Sequence, residues 1–224
     1  MMPFPLVEAT ELYTPIAVKL IDAVTGSAPL APVKTFLELR DPAGAWIPQK
    51  RNPVPTPGGL LTFPGLGRRG HASGVSPEKY RLRFESDIYQ PDYLGKPLSL
   101  EGIEFDSFPY NDDTPPAVFA TSVTDVVLHP SPRYPFLPST PILRGFVVRQ
   151  GTTNRVAAAL VAEALHDRTI TDKTGEFALA LRQVKPNIAT SIDVTDFLST
   201  PNETGITVIL LPAALGISHT IGIA

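Results

Sequence analysis

The chain predicts an all-β protein built as two β-sandwich domains in tandem. Three observations carry this. Apolar or alternating segments of strand length recur between turn signals along the 224 residues. Prolines number 25, roughly twice the usual share, and a residue without a backbone donor leaves little room for long helices. Five of those prolines crowd into residues 129–141, where extended, polyproline-like backbone makes a natural joint. The expected domains are therefore residues 1–137 and 138–224.

The strands can be justified in order. Residues 16–23 run apolar into the Thr25-Gly26 turn, and residues 34–40 end at Asp41-Pro42-Ala43-Gly44. Residues 59–63 follow Gly58, and Tyr80-Arg81-Leu82-Arg83-Phe84-Glu85 alternates with period two. Residues 116–128 supply one long strand or two short ones. Beyond the proline-rich joint come 142–149, 157–165, 176–181, 189–194 and 206–211. Alanines and leucines in residues 156–166 also fit a short helix on propensity alone. The neighbouring Thr171-Asp172-Lys173-Thr174-Gly175-Glu176-Phe177 favours a strand, because it reads as a hairpin turn with Gly175 where positive φ is needed.

The two halves echo one another. Gly26 and Gly59 in the first half correspond to Gly151 and Gly175 in the second, each closing or opening a strand. The wider spacing in the first half implies an insertion, most simply the proline-rich residues 47–57.

Composition narrows the function classes. A 43% hydrophobic share and 18% charged residues describe a globular chain, not a disordered one. The uncharged stretch 205–224 contains Pro212, His219 and three glycines, and reads as strands and turns rather than a membrane span. Residues 1–6 put no basic residue ahead of an apolar core, so no secretory signal is expected. The expected place of synthesis is the cytoplasm, with incorporation in a virion or phage-like particle as one destination. With no cysteine, disulfide scaffolds and thiolate metal sites are excluded. The net charge is −3 and the 19 basic residues are scattered, with one cluster at Arg68-Arg69 beside His71. That pattern argues against a nucleic-acid surface.

Residues 13–136 resemble the transthyretin and hydroxyisourate hydrolase family. The residues that carry the resemblance are Leu20-Ile21-Asp22 with Gly26, Pro57-Gly58-Gly59-Leu60, Tyr80-Arg81-Leu82-Arg83-Phe84, and Val127-Leu128-His129-Pro130-Ser131-Pro132-Arg133-Tyr134. Residues 142–215 resemble the carboxypeptidase regulatory-like domain through Thr171, Asp172, Gly175 and Phe177 of its turn signature. Both resemblances imply a prealbumin-like Greek-key sandwich. The hydrolase branch implies histidines and an arginine converging on one pocket, with a Tyr-Arg-Gly-Ser ending. Here Lys19 stands in the first histidine's place, Leu60 or Leu61 in the arginine's, and Arg133-Tyr134-Pro135-Phe136 in the ending's. The resemblance therefore implies no catalytic residue, and neither cofactor nor metal is expected.

Other constellations have plain readings. His71, His129, His166 and His219 are too dispersed for metal-ligand spacing; the resemblance puts His129 on its pocket strand. Asp112-Asp113, with Glu101, Glu104 and Asp106 upstream, reads as a solvated acidic loop before a cation site. Gly65-Leu66-Gly67-Arg68-Arg69-Gly70 lacks the Lys-Ser/Thr of a phosphate loop and reads as a flexible hairpin tip. Asn202-Glu203-Thr204 matches a glycosylation acceptor without a secretory context. No serine sits in Gly-x-Ser-x-Gly. Trp46 is either an exposed contact residue or a core cover.

The function expected from these readings is a non-enzymatic structural or adaptor protein of a larger, symmetric assembly, such as a phage tail or contractile injection machine. Its partners are expected to be proteins, with neither nucleic acid nor membrane involved. The contacts are expected from residues 1–13, 47–57 and 94–116. Two alternatives come from other classes. One is a divergent hydroxyisourate hydrolase-like enzyme using His129 and Lys19. The other is a carbohydrate- or ligand-binding module, which would need three or more exposed, coplanar aromatics from Tyr89, Tyr93, Phe105, Phe108 and Tyr110.

Overall fold

Alternation of apolar and polar side chains sets the strands, and the computed structural model bears this out over residues 11–70, 76–93, 101–118, 123–163, 166–185 and 187–224, which it describes. The protein is all-β. The first half contributes β1 (Ala17–Asp22), β2 (Lys34–Arg40), β3 (Trp46–Gln49), β4 (Val54–Pro55), β5 (Leu60–Thr62), β6 (Glu78–Glu85), β7 (Tyr89–Asp92), β8 (Ile103–Ser107) and β9 (Val123–Pro130). The second half contributes β10 (Ile142–Arg149), β11 (Leu160–Glu163), β12 (Asp167–Ile170), β13 (Glu176–Ala180), β14 (Ala189–Asp196), β15 (Glu203–Leu210) and β16 (Ser218–Ile223). The one helical element among the described residues is a 3-10 turn at Ala213–Gly216.

The chain divides into two compact units that are interleaved in sequence. One comprises residues 1–19, 35–83 and 95–125; the other comprises 20–34, 84–94 and 126–224. The boundary passes through β1, β6 and β9.

In the first unit, β5 lies antiparallel to both β4 and the start of β1, with Thr62 opposite Val54 and Ala17. A four-stranded sheet runs β3-β2-β6-β8. Its strands bury Leu37, Leu82 and Ile103, at most 3% exposed, each contributing about 1.5–3 kcal/mol of apolar burial. The proline-rich residues 47–57 supply β3 and β4, which are edge strands of their sheets. Pro48 and Pro55 lie in them, and edges are where a strand tolerates a missing donor.

The second unit contains a complete sandwich between Ile142 and Ile223. One sheet has β10 at its centre, antiparallel to β13 and parallel to β16. The other runs β12-β11-β14-β15, antiparallel throughout. β14 shows why the period matters: Thr190, Ile192, Val194 and Asp196 are buried while the residues between them are not. A single core joins Leu143 and Val147 of β10, Phe177 and Leu179 of β13, Ile192 and Val194 of β14, and Ile221 and Ile223 of β16.

The hairpin turn before β13 uses each residue of its signature. Asp172 Oδ1 accepts the Thr174 N–H at 2.8 Å and the Glu176 N–H at 3.0 Å, and Gly175 has φ +74°. Thr171 Oγ1 donates to the Val156 carbonyl and accepts the Ala159 N–H, both at 2.8 Å. Phe177 is 1% exposed. The four glycines paired by sequence, Gly26, Gly59, Gly151 and Gly175, all sit at positive φ.

Two side chains bond residues 20–34 and 126–137 to that sandwich. Arg182 donates to Asp167 Oδ1 at 2.9 Å and to the carbonyls of Ala23 and Val24 at 3.3 and 3.0 Å. Thr169 Oγ1 donates to the Pro130 carbonyl at 3.1 Å. In the segment that also fitted a helix, residues 160–163 form β11; residues 164–165 lie outside those described.

Candidate functional site

The surface feature that stands apart from the rest is the edge strand β15. It pairs with β14 along its whole length, from Glu203 opposite Asp196 to Leu210 opposite Ala189. On its other side Thr204 exchanges both backbone bonds with Ala224 just after β16, and beyond that point no strand follows it in the sheet among the described residues. Ile209 turns inward at 3% exposure, whereas Ile206, Val208 and Leu210 are 71%, 67% and 50% exposed. Their cross-strand neighbours Asp193, Ser191 and Ala189 are small or charged and cover little of them. Ile188, just ahead of β14, adds another exposed apolar side chain.

Edge strands offer unpaired backbone donors and acceptors, and natural sheets blunt them with proline, charge or brevity. Other edges of this protein are blunted so: β3 has Pro48, β7 has Pro91, and β12 is four residues carrying Asp167 and Arg168. β15 is eight residues long and contains neither proline nor lysine nor arginine.

The polar groups that sequence reading singled out are mostly internal. Asp22 is 0% exposed. Its Oδ1 accepts the Val24 N–H at 2.7 Å, and its Oδ2 accepts the hydroxyls of Tyr89 and Tyr134, each at 2.8 Å. Burial, together with donation to that carboxylate, pushes the Tyr89 hydroxyl up to about 12 and raises Tyr134 as well. His129, on β9, is 1% exposed, and its Nε2 lies 3.3 Å from Asp92 Oδ2 on the adjacent β7. Lys19 is exposed. His166 lies at the turn between β11 and β12, and His219 Nε2 bonds the Ala214 carbonyl at 2.9 Å. His71 lies outside the described residues.

Several acidic residues of the first unit are held by a cation. Arg68 forks onto both oxygens of Asp112 at 2.6 Å, Lys79 lies 3.7 Å from Asp106, and Arg81 reaches Glu101 at 2.9 Å. No group of three or more His, Asp or Glu side chains that could hold a metal ion occurs among the described residues. The same Arg81 is buried and bonds Glu38 at 2.7 Å, while Arg83 takes the other Glu38 oxygen at 3.2 Å. Burial works to raise the Glu38 carboxyl, but hydrogen bonds and charge from Arg83 and Arg81 outweigh it and hold the group below its usual range. Trp46 is half-buried, with the Arg81 guanidinium 4.6 Å from its ring centre, a cation–π contact. The Trp46–Arg81 pairing has no sequence signal, because the two residues lie far apart in the chain.

The five aromatics named above form no exposed platform: Tyr89, Tyr93 and Tyr110 are buried, Phe105 and Phe108 are half-buried, and Phe105 stacks on Tyr80 at 5.8 Å. The Gly65–Gly70 loop is not a free tip, since the Tyr110 backbone accepts from the Arg69 N–H and donates to the Gly67 carbonyl. No helix among the described residues is long and apolar enough to cross a membrane. Sequence reading missed β15 as a surface because its apolar alternation looks like that of any half-buried strand. No protein-family model, curated protein or solved structure matches the chain.

Proposed function

We propose that the protein is a non-enzymatic structural or adaptor component of a larger, symmetric complex, of the kind found in phage tails and contractile injection machines, and that β15 is one of its docking edges. The observation that carries this is the exposure of Ile206, Val208 and Leu210 on the part of this edge that lies beyond the Thr204–Ala224 backbone bonds and has no proline or basic residue. A strand of this kind gains most by receiving a strand from a neighbour, which pairs its open backbone edge and covers the apolar stripe. Prealbumin-like sandwich domains would make a stiff support on which such an edge is presented. Of the other segments expected to make contacts, residues 47–57 form edge strands with Ile47 and Val54 exposed. Residues 1–10 and 94–100 lie outside the described ones.

The enzyme alternative draws less support, because the histidine it needs is 1% exposed and engaged by Asp92. The test is the mass of the protein in its native lysate. The proposal expects a species several times larger than the 24.1 kDa chain; a lone monomer would count against it.

A further inference from the structure

The first unit holds a cleft of about 390 Å³ whose walls carry four cationic side chains and one acidic one. Its floor is Leu37 and Tyr80, both buried. Lys50 and Arg51 follow β3, while Arg68 and Arg69 come from the glycine-rich loop. The loop cannot swing away freely, because the backbone of Gly67 and Arg69 is bonded to Tyr110 on both sides. Four cations therefore converge from two separate segments.

Two of them are already partly satisfied. Arg68 is bound by Asp112, and Arg69 by Glu78, which also lines the cleft and accepts the Tyr80 hydroxyl at 3.0 Å. The other two have no acidic partner among the described residues. Arg51 donates to the Pro64 carbonyl, and Lys50 makes no hydrogen bond or ion pair with any of those residues. Four positive charges against Glu78 and Asp112 leave a net charge of about +2, concentrated in a concave space of ligand size.

We infer that this cleft binds a small oxyanion carrying two negative charges, with the Arg51 guanidinium and Lys50 ammonium as its principal contacts. A doubly charged group neutralises the excess. The flat donor fork of Arg51 suits both phosphate and carboxylate oxygens. Arg68 and Arg69, anchored by their own carboxylates, then hold the field in place without needing to move. Nothing in this depends on the assembly role proposed above.

Calorimetric titration of the full chain at low ionic strength tests it, with inorganic phosphate and malonate as separate probes. Saturable binding of at least one is expected, and which one binds distinguishes a phosphate-type ligand from a dicarboxylate. Lys50→Gln with Arg51→Gln removes two charged contacts and should weaken binding about tenfold or more, with an unchanged thermal melt because both side chains are exposed. If the double variant alters the melt, Lys50→Gln alone supplies the same readout. Arg144→Ala, an exposed arginine of the other unit, should leave binding unchanged. Failure of both probes to bind, affinity unmoved by the cleft substitutions, or an equal loss in Arg144→Ala would overturn the inference.

Discussion

Tyr134 donates its hydroxyl to the buried carboxylate of Asp22 at 2.8 Å, across 112 positions of sequence. It ties the proline-rich segment after β9 to the end of β1. Tyr89 takes the same oxygen and packs edge-on to Tyr134 at 5.6 Å. A buried carboxylate is costly unless its lone pairs are filled, and here two hydroxyls and the turn after β1 fill them. Tyr134→Phe removes one bond to a charged acceptor and should destabilise the protein by about 1–3 kcal/mol. Asp22→Ala should cost more, since it strands both hydroxyls. Urea denaturation of the two variants checks the size and the order.

Buried tyrosines, one of them in this network, set an alkaline limit. An unfolded tyrosine ionises near pH 10, whereas Tyr80 and Tyr89 are pushed up to about 12, in each case chiefly by burial. The folded state therefore keeps its protons where the unfolded state loses them. Stability from this source is fully present below about pH 10 and falls as pH rises toward 12. Ultraviolet titration should show these hydroxyls ionising together with unfolding; free ionisation near pH 10 with the fold intact would contradict the burial argument.

Gly175 offers a local test. At φ +74° it adopts backbone that side chains disfavour, and a Cβ there would lie 2.7 Å from the Arg155 Cβ. Gly175→Val should cost about 2 kcal/mol or more from backbone strain and overlap combined. A neutral Gly175→Val in thermal or chemical unfolding would remove the argument.

Much of this was legible in the sequence, and the losses have physical reasons. Residues 34–40 and 142–149 coincide with β2 and β10; in β10 burial alternates clearly, and β2 is bounded by the turn at Asp41. β7 and β12 were not foreseen: Tyr-Gln-Pro-Asp and Asp-Arg-Thr-Ile are short, and proline or charge interrupts their pattern. The turn at Asp172 could be read because its chemistry is local. The Asp22–Tyr134 bond, the Trp46–Arg81 contact and the cationic cleft could not, since each joins residues that only the fold brings together. Whether β15 would face solvent or a core was equally hidden, because edge position is a property of the sheet and not of the strand.

The central claim is that β15 is an assembly edge, and Val208→Lys tests it most directly. Val208 is 67% exposed, so the lysine enters without disturbing the core, while a charge on an edge strand opposes pairing with a neighbour. The measurement is the sedimentation mass of the wild-type and variant proteins isolated from the native source. The account predicts a multi-subunit mass for the wild type and a fall to 24.1 kDa for Val208→Lys, with both melting alike. A wild type that sediments as a monomer, or a variant that keeps the full assembled mass, would contradict it.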